Sequence, residues 1–202
     1  MRVAIIHNKE ASSLEVAAKL RELLQKAHYQ LDQDDPELVI SVGGDGTLLS
    51  AFHLYNHKLD QVRFLGVHTG HLGFYTDWRD YELDELVDSL CTQEEKAISY
   101  PLLDVTIHYR NGKPSQHFLA LNESTIRRST QTLEADVYIK DELFEKFRGD
   151  GLSVATPTGS TAYNKSIGGA VLHPRINAMQ LTEIASLNNR VFRTLGSPIV
   201  LS

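Results

Sequence analysis

Gly43-Gly44-Asp45-Gly46-Thr47 follows directly on an apolar run, Leu38-Val39-Ile40-Ser41-Val42, and leads into a second apolar stretch from Leu48. Glycines at a strand-to-helix turn let backbone N–H groups approach an anion, because no Cβ stands in the way. A carboxylate there would repel phosphate. Asp45 makes chemical sense as a group that hydrogen-bonds a hydroxyl beside the phosphate, or takes its proton. The segment therefore points to phosphoryl transfer onto an alcohol, with Gly43, Gly44, Gly46 and Thr47 on the phosphate side. A plain tight turn is the competing reading. The stretch lacks the Gly-Lys-Ser/Thr of a Walker A loop, and its glycine spacing is not that of a Rossmann fingerprint.

Two more clusters carry suitable groups. Asn122-Glu123 ends the apolar run Phe118-Leu119-Ala120-Leu121. Asn offers a donor and an acceptor, as a purine edge does, and Glu can accept two ribose hydroxyls. The plainer reading is a polar pair at a strand end. Farther on, Gly149-Asp150-Gly151 precedes Thr156-Pro157-Thr158-Gly159-Ser160-Thr161-Ala162-Tyr163. Four hydroxyls on a turn into a helix suit polar or anionic ligand groups, whereas ordinary capping needs fewer. Metal and hydrolase readings are weaker. His53 and His57 stand at i,i+4 without the glutamate of a zinc-protease helix, and His68 and His71 flank a glycine turn with no cysteine cluster nearby. No Gly-x-Ser-x-Gly elbow occurs.

The elements that must position these groups change character along the chain. Residues 3–7, 38–42 and 62–68 read as buried strands, and 12–28, 48–55 and 81–90 as helices. Ser12 and Glu15 have capping-box spacing, and Val16, Leu20, Leu23, Leu24 and Ala27 form one apolar face. Alternating strands and helices predict parallel βαβ units, with ligands beyond the carboxyl ends of the strands. Residues 43–47 and 69–74 then lie on one rim. From about residue 100 the pattern becomes extended. Val105, Ile107 and Tyr109 alternate with polar residues, Asn111-Gly112 is a turn, and 118–126 is a second extended run. Residues 133–140 and 143–148 read as a hairpin around Asp141-Glu142, with helical interludes at 160–167 and 176–185 and a final strand at 198–202. The fold class is thus an α/β domain over 1–100 with a parallel sheet, followed by a β-rich domain over 101–202.

Composition narrows the function classes. A net charge of −6 disfavours a general nucleic-acid or membrane-surface binder, though not a local basic pocket. A single cysteine, Cys91, allows no intrachain disulfide and suits a reducing compartment. No run approaches the ~20 apolar residues of a membrane helix, and the N-terminus has too short an apolar run for a signal peptide. A cytoplasmic protein is expected.

Taken together, Gly43-Gly44-Asp45-Gly46-Thr47, Thr69-Gly70-His71-Leu72-Gly73-Phe74, Asn122-Glu123, Asp150-Gly151 and the 156–163 stretch, extended by Gly168-Gly169 and His173-Pro174, resemble the NAD kinase family, especially its shorter Gram-positive members. The motifs occur in the family's order across the whole chain. The resemblance implies transfer of the ATP γ-phosphate to the 2′-hydroxyl of the adenosine ribose of NAD, giving NADP, with Mg²⁺ or another divalent cation carried by ATP. It implies that Asp45 is the base or hydroxyl-positioning carboxylate, with Gly46 beside it and Phe74 walling the pocket. Asn122 would hold the adenine and Glu123 the ribose hydroxyls. Arg148 and Asp150 would contact the dinucleotide, or one held mainly by a neighbouring subunit. Thr158, Thr161, Ala162, Tyr163, Asn164, Lys165 and Ser166 would line the site, with Ala185 packed nearby. A homotetramer without nucleic-acid or membrane partners is also implied. The chain has His68 where the family often has Asn and Ala170 where it often has Pro. Family members continue past residue 202, so the second domain is expected to be incomplete at its C-terminal end. The rival readings are a lipid or sugar kinase with the same Gly-Gly-Asp-Gly turn, and a non-catalytic NAD(P) sensor. Asn122-Glu123 and the hydroxyl stretch favour a dinucleotide over lipid or sugar, and Asp45 favours transfer over sensing.

Overall fold

Hydrophobic runs too short for helices and rich in branched residues form the strands of the N-terminal half. The computed structural model describes residues 1–92, 97–190 and 193–202. They fall into two compact units, Met1–Ile98 and Ser99–Ser202.

The first unit runs β1 (Arg2–His7), α1 (Ala11–Lys26), β2 (Gln30–Leu31), β3 (Leu38–Val42), α2 (Asp45–Tyr55), β4 (Arg63–His68), β5 (Trp78–Arg79) and α3 (Leu83–Thr92). The strands are all parallel, in the order β2-β1-β3-β4-β5. Every residue of β3 is buried. Leu38, Ile40 and Val42 pack with Leu20 and Leu24 of α1 and Leu83, Leu86 and Val87 of α3. Val39 faces the other way, toward Ala51 and Tyr55 of α2. Helices on both faces explain why β3 has no polar alternation. Leu20 and Leu24 are fully enclosed, and burial of each contributes about 1.5–3 kcal/mol.

Two expectations here need correction. The capping box of Ser12 and Glu15 does not form. The helix begins at Ala11, with Glu10 at its cap position and no side-chain cap. Asn8 Oδ1 instead accepts the Glu10 N–H at 3.0 Å, and Ser13 Oγ lies 2.8 Å from Thr69 Oγ1. The second helix starts three residues before Leu48, at Asp45, with Gly44 as its cap. The glycine turn is therefore tighter than the apolar pattern indicates, and Asp45 occupies the first helical position. A carboxylate there is favoured by the helix dipole.

The second unit is β-rich: β6 (Leu103–Ile107), β7 (Gln116–Ala120), β8 (Glu123–Arg127), β9 (Leu133–Ile139), β10 (Glu142–Gly149), β11 (Gly151–Ala155), a 3₁₀ turn (Thr158–Thr161), α4 (Tyr163–Ser166), β12 (Met179–Ile184) and β13 (Ile199–Leu201). An antiparallel four-stranded sheet has the order β13-β12-β11-β8, beside the hairpins β6-β7 and β9-β10. The extended run at 118–126 is two strands. It breaks at Leu121-Asn122, where the chain leaves the β6 hairpin to pair with β11. The β9-β10 turn is Lys140-Asp141, one residue earlier than expected. Both residues have positive φ, +50° and +66°, as a two-residue type I′ turn requires. The interlude at 160–167 is a 3₁₀ turn and a single helical turn. The helix expected over 176–185 is absent. Residues 179–184 are a strand paired on both sides, because Gln180 and Thr182 find buried polar partners.

Candidate active site

Strand order fixes where chemistry can sit in the first unit. From β1 the chain passes to β2 on one side and then to β3 on the other. The carboxyl ends of β1 and β3 thus flank a topological switch point, where open α/β sheets bind ligands. Asn8 follows β1 and Gly43 follows β3. Gly43 adopts φ +148°, and a Cβ on it would lie 2.3 Å from Thr47 Oγ1 and 3.1 Å from Asn8 Nδ2. Only glycine fits. The Gly43 N–H donates to Val67 O at 2.9 Å, which anchors the turn to β4. Asn8 was not singled out by its sequence. A lone asparagine carries no pattern, and only the strand order reveals its place.

Asp45 is held from the next loop. Its Oδ2 accepts the Phe74 N–H at 2.9 Å and its Oδ1 the Tyr75 N–H at 3.0 Å. A Cβ on Gly73 would sit 2.2 Å from Oδ1, so that loop can close on the carboxylate only through a glycine. Two carboxylate oxygens have about four acceptor positions. With one used on each, both oxygens can still accept a hydroxyl. The loops at 43–47 and 69–74 therefore share one rim, and Gly44, Gly46 and Thr47 lie on the same turn as Asp45. Phe74 is largely exposed. His68 is buried, its Nδ1 lying 3.1 Å from Gly70 O, and its Nε2 has no hydrogen-bond partner among the described residues.

In the second unit, Asn122 and Glu123 meet the hydroxyl-rich stretch. Asn122 O accepts the Thr156 N–H at 2.8 Å. Gly159 is pressed against it, since a Cβ there would lie 2.0 Å from the same oxygen. Glu123 is half-buried, and burial pushes its carboxyl above the usual carboxylate range. Its Oε2 is enclosed with no hydrogen-bond partner among the described residues. A buried acceptor without a donor fits incoming hydroxyl groups.

The four hydroxyls do not form the surplus that their number implied. Thr156 Oγ1 donates to Leu121 O at 2.6 Å and accepts the Gly159 N–H at 2.9 Å. Thr158 Oγ1 donates to the same carbonyl at 3.3 Å. Ser160 Oγ donates to Pro157 O at 2.6 Å and accepts the Leu172 N–H at 2.8 Å. Thr161 Oγ1 donates to Thr158 O at 3.2 Å. All four brace the loop, and Thr158 and Thr161, half-buried, retain acceptor capacity.

The following segment divides by depth. Lys165 and Ser166 are exposed, Ala162 and Tyr163 are half-buried, and Asn164 is fully buried. The Tyr163 hydroxyl accepts from Arg127 Nη1 at 3.4 Å. Asn164 Nδ2 donates to Gln180 Oε1 at 2.8 Å and its Oδ1 accepts from Thr182 at 2.8 Å. It lies beneath the segment, not on its surface. Arg148, Asp150 and Ala185 are brought together: Leu187 N donates to Arg148 O and Asp150 N to Ile184 O, and Ala185 holds φ +47°. Arg148 Nε lies 3.3 Å from Glu134 Oε1. Arg148 also lines a cavity of ≈ 620 Å³ with Arg128, Gln131, Thr132, Leu133 and Glu134. Arg128 carries no signal in the sequence, because the residue it shares that cavity with, Arg148, lies on a separate element, β10.

Comparison with known proteins agrees with this layout. The ATP-NAD kinase N-terminal domain matches residues 6–95, and the ATP-NAD kinase C-terminal domain matches residues 121–200. An NAD kinase of Enterococcus faecalis is 73% identical over 202 residues, covering 100% of this chain and 76% of that protein. One of Levilactobacillus brevis is 61% identical over 201 residues, covering 100% and 75%. Yeast NADH kinase, solved in complex with NADH, superposes with a TM-score of 0.88 at 22% identity, covering 100% of this chain and 69% of that one. An Archaeoglobus fulgidus NAD kinase, solved with ATP, gives 0.76 at 23% identity, covering 100% and 77%. Those two structures share the fold: a parallel α/β part followed by a β-rich part. With both family domains matched in order and Gram-positive relatives alike across its whole length, this chain belongs to the NAD kinase family.

Proposed function

We propose that this chain transfers the γ-phosphate of ATP to the 2′-hydroxyl of the adenosine ribose of NAD, giving NADP. The observation that carries the reading is Asp45, a carboxylate at the end of β3, fixed by two backbone amides and still able to accept a hydroxyl. Its curated relatives at 73% and 61% identity are NAD kinases, which favours NAD over a lipid or sugar acceptor and transfer over sensing.

Phosphoryl transfer needs little covalent help from a protein. It needs alignment of the attacking oxygen with phosphorus, and stabilisation of charge. Asp45 is assigned the 2′-hydroxyl, orienting it and accepting its proton as the new ester bond forms. The N–H groups of Gly44 and Gly46 and the Thr47 side chain are assigned the phosphates, while the Gly43 and Thr47 N–H groups, bonded to Val67 O and Gly44 O, hold the shape of the turn. Asn122 is assigned the adenine and Glu123 the ribose hydroxyls. Arg148, Asp150, Thr158, Thr161, Ala162, Tyr163, Lys165, Ser166, Ala185, Phe74 and Gly46 are assigned dinucleotide contacts, and Asn164 a supporting role beneath them. A divalent cation such as Mg²⁺ would ride on the ATP phosphates, whose oxygens suit it. Among the described residues no group of three or more His, Cys, Asp or Glu could hold a metal ion, and no step is assigned to a protein-held one. A homotetramer and a cytoplasmic location belong to the same reading. The family resemblance supports the first, and the single cysteine supports the second. No helix among the described residues is long and apolar enough to cross a membrane.

The direct test is NADP formation from ATP, Mg²⁺ and NAD, with lipid and sugar acceptors in parallel. NADP alone is expected to accumulate. NAD binding by calorimetry without any NADP would instead establish a sensor.

Glu123 supplies a second test through pH. Only its ionised form accepts hydroxyls on both oxygens, and burial raises its pKa. NAD affinity is therefore expected to fall on acidification, beginning at a higher pH than for an ordinary glutamate. Glu123→Gln should flatten that dependence and weaken NAD binding about tenfold, the scale of one hydrogen bond to a charged group. Stability should move the other way. A carboxyl with a raised folded-state pKa destabilises the fold once pH exceeds that pKa, and the penalty vanishes below the unfolded value. Glu123→Gln should thus melt higher than the parent near neutrality. Equal melting points with unchanged pH dependence of binding would remove Glu123 from the site.

A further inference from the structure

We propose that Thr76 is a positioning residue for Asp45, acting through the loop that grips the carboxylate. The proposal rests on the assignment of Asp45 as the hydroxyl-binding group.

Three consecutive backbone N–H groups of that loop have defined acceptors. Those of Phe74 and Tyr75 point to Asp45 Oδ2 and Oδ1. The preceding one, of Gly73, points to Thr76 Oγ1 at 3.1 Å. The Thr76 hydroxyl therefore closes the turn whose two central amides hold Asp45. Thr76 is itself immobilised, being 3% exposed. Its backbone and methyl lie against Gly66 of β4, where a Cβ would come within 2.8 Å of Thr76 Cα and 2.9 Å of its Cγ2. Asp77 N donates to Gly66 O at 3.1 Å, tying the next residue to the same strand. A continuous chain of contacts thus runs from the rigid sheet, through the Thr76 side chain, to the Gly73 amide and then to both carboxylate oxygens.

This arrangement divides the work of one residue between two groups. The backbone at 75–77 fixes Thr76 to β4, with the methyl filling the space beside Gly66, and the hydroxyl sets the pitch of the turn. Valine keeps the shape and loses the acceptor. The Gly73 N–H then loses its partner, the turn opens, and the amides of Phe74 and Tyr75 drift relative to Asp45. Misplacement of a reacting group by about 1 Å can lower rate about 100-fold. The hydroxyl itself faces the Gly73 amide, so its loss is expected to act on turnover more than on substrate affinity.

The test is steady-state kinetics of full-length protein with ATP, Mg²⁺ and NAD. Thr76→Val is expected to lower kcat about 10- to 100-fold with little change in either KM, and Thr76→Ser to keep kcat near the parent value. The same Val substitution in an Asp45→Asn background should cost nothing further, because the carboxylate it serves is gone. A merely structural role would instead reduce the residual turnover of the Asp45→Asn protein by the same factor, and that result overturns the proposal. Should Thr76→Val fail to fold, Thr76→Ser carries the test alone: kcat reduced tenfold or more with the hydroxyl present also overturns it. Full turnover in Asp45→Asn by itself sinks the assignment of Asp45. Loss of turnover there, with Thr76→Val unaffected, sinks only the role of Thr76.

Discussion

Asp45→Asn is expected to lower kcat by about 10²–10⁴-fold, the usual range for losing a positioned acid–base group. NAD affinity should change little, because adenine and ribose recognition are assigned to Asn122 and Glu123. kcat and kcat/KM should therefore fall together, the pattern of an interaction made in the transition state. Rapid-quench or coupled assays, with calorimetry for NAD binding, would measure both. The substitution has a structural side as well. Each carboxylate oxygen faces a backbone N–H, from Phe74 or Tyr75. An amide nitrogen in either position sets donor against donor, so the loop that follows Gly73 should loosen. Asp45→Asn with full turnover and unchanged NAD binding would show that the carboxylate takes no part in transfer.

Gly159→Ala should produce the largest loss of stability. Its Cβ would fall 2.0 Å from Asn122 O, 2.4 Å from Asn122 C and 2.5 Å from Asn122 Cα. All three are backbone atoms, so no side chain can swing aside. Either the 156–161 loop or the start of β8 must shift, and the bond from Thr156 N to Asn122 O must stretch or break. Overpacking costs about 1–3 kcal/mol where side chains can adjust, and a backbone obstruction belongs at or above that upper end. For a chain of this size, about 3 kcal/mol corresponds to a fall in Tm of about 6–12 °C. NAD binding should weaken too, since Asn122 and Glu123 move with β8. Thermal melts in parallel with calorimetry would check the pair. A melting point within about 2 °C of the parent, the shift expected from at most 1 kcal/mol, would mean that the loop is not clamped on Asn122.

The alternation of β1, α1, β3, α2 and β4 was legible because each strand is a short, mainly apolar run bounded by polar or turn residues. The Asp45 turn was legible for the same reason. Its glycines interrupt a pattern that is otherwise plain. Other features depended on partners distant in sequence. The helix expected over 176–185 is instead a strand at Met179–Ile184, whose polar residues Gln180 and Thr182 carry no sign in the sequence of their buried partner. Both are buried, and Asn164 meets them there, donating to Gln180 Oε1 and accepting from the Thr182 hydroxyl. The hydroxyls of Thr156 and Ser160 looked available for a ligand, yet Leu121 O, Pro157 O and two amides had already engaged them. Asn8 became visible only once the strand order placed it at the switch point. The buried oxygen of Glu123 and the grip of Phe74 and Tyr75 on Asp45 have no one-dimensional signature, because each depends on the path of a loop.

The buried contact of Asn164 with Gln180 and Thr182 has a consequence for strand alignment. Apolar side chains in a sheet tolerate a slip of pairing as long as the buried face stays apolar, whereas polar ones do not. Moving β12 by one residue would replace Gln180 and Thr182 with Leu181 and Glu183 on the face that meets Asn164. The amide would then lose its acceptor at 2.8 Å and its donor at 2.8 Å together. Asn164 thus discriminates the native pairing of β12 from its nearest alternatives. The same side chain sits within the 161–166 segment, so the alignment of β12 and the placement of that segment are coupled through one amide.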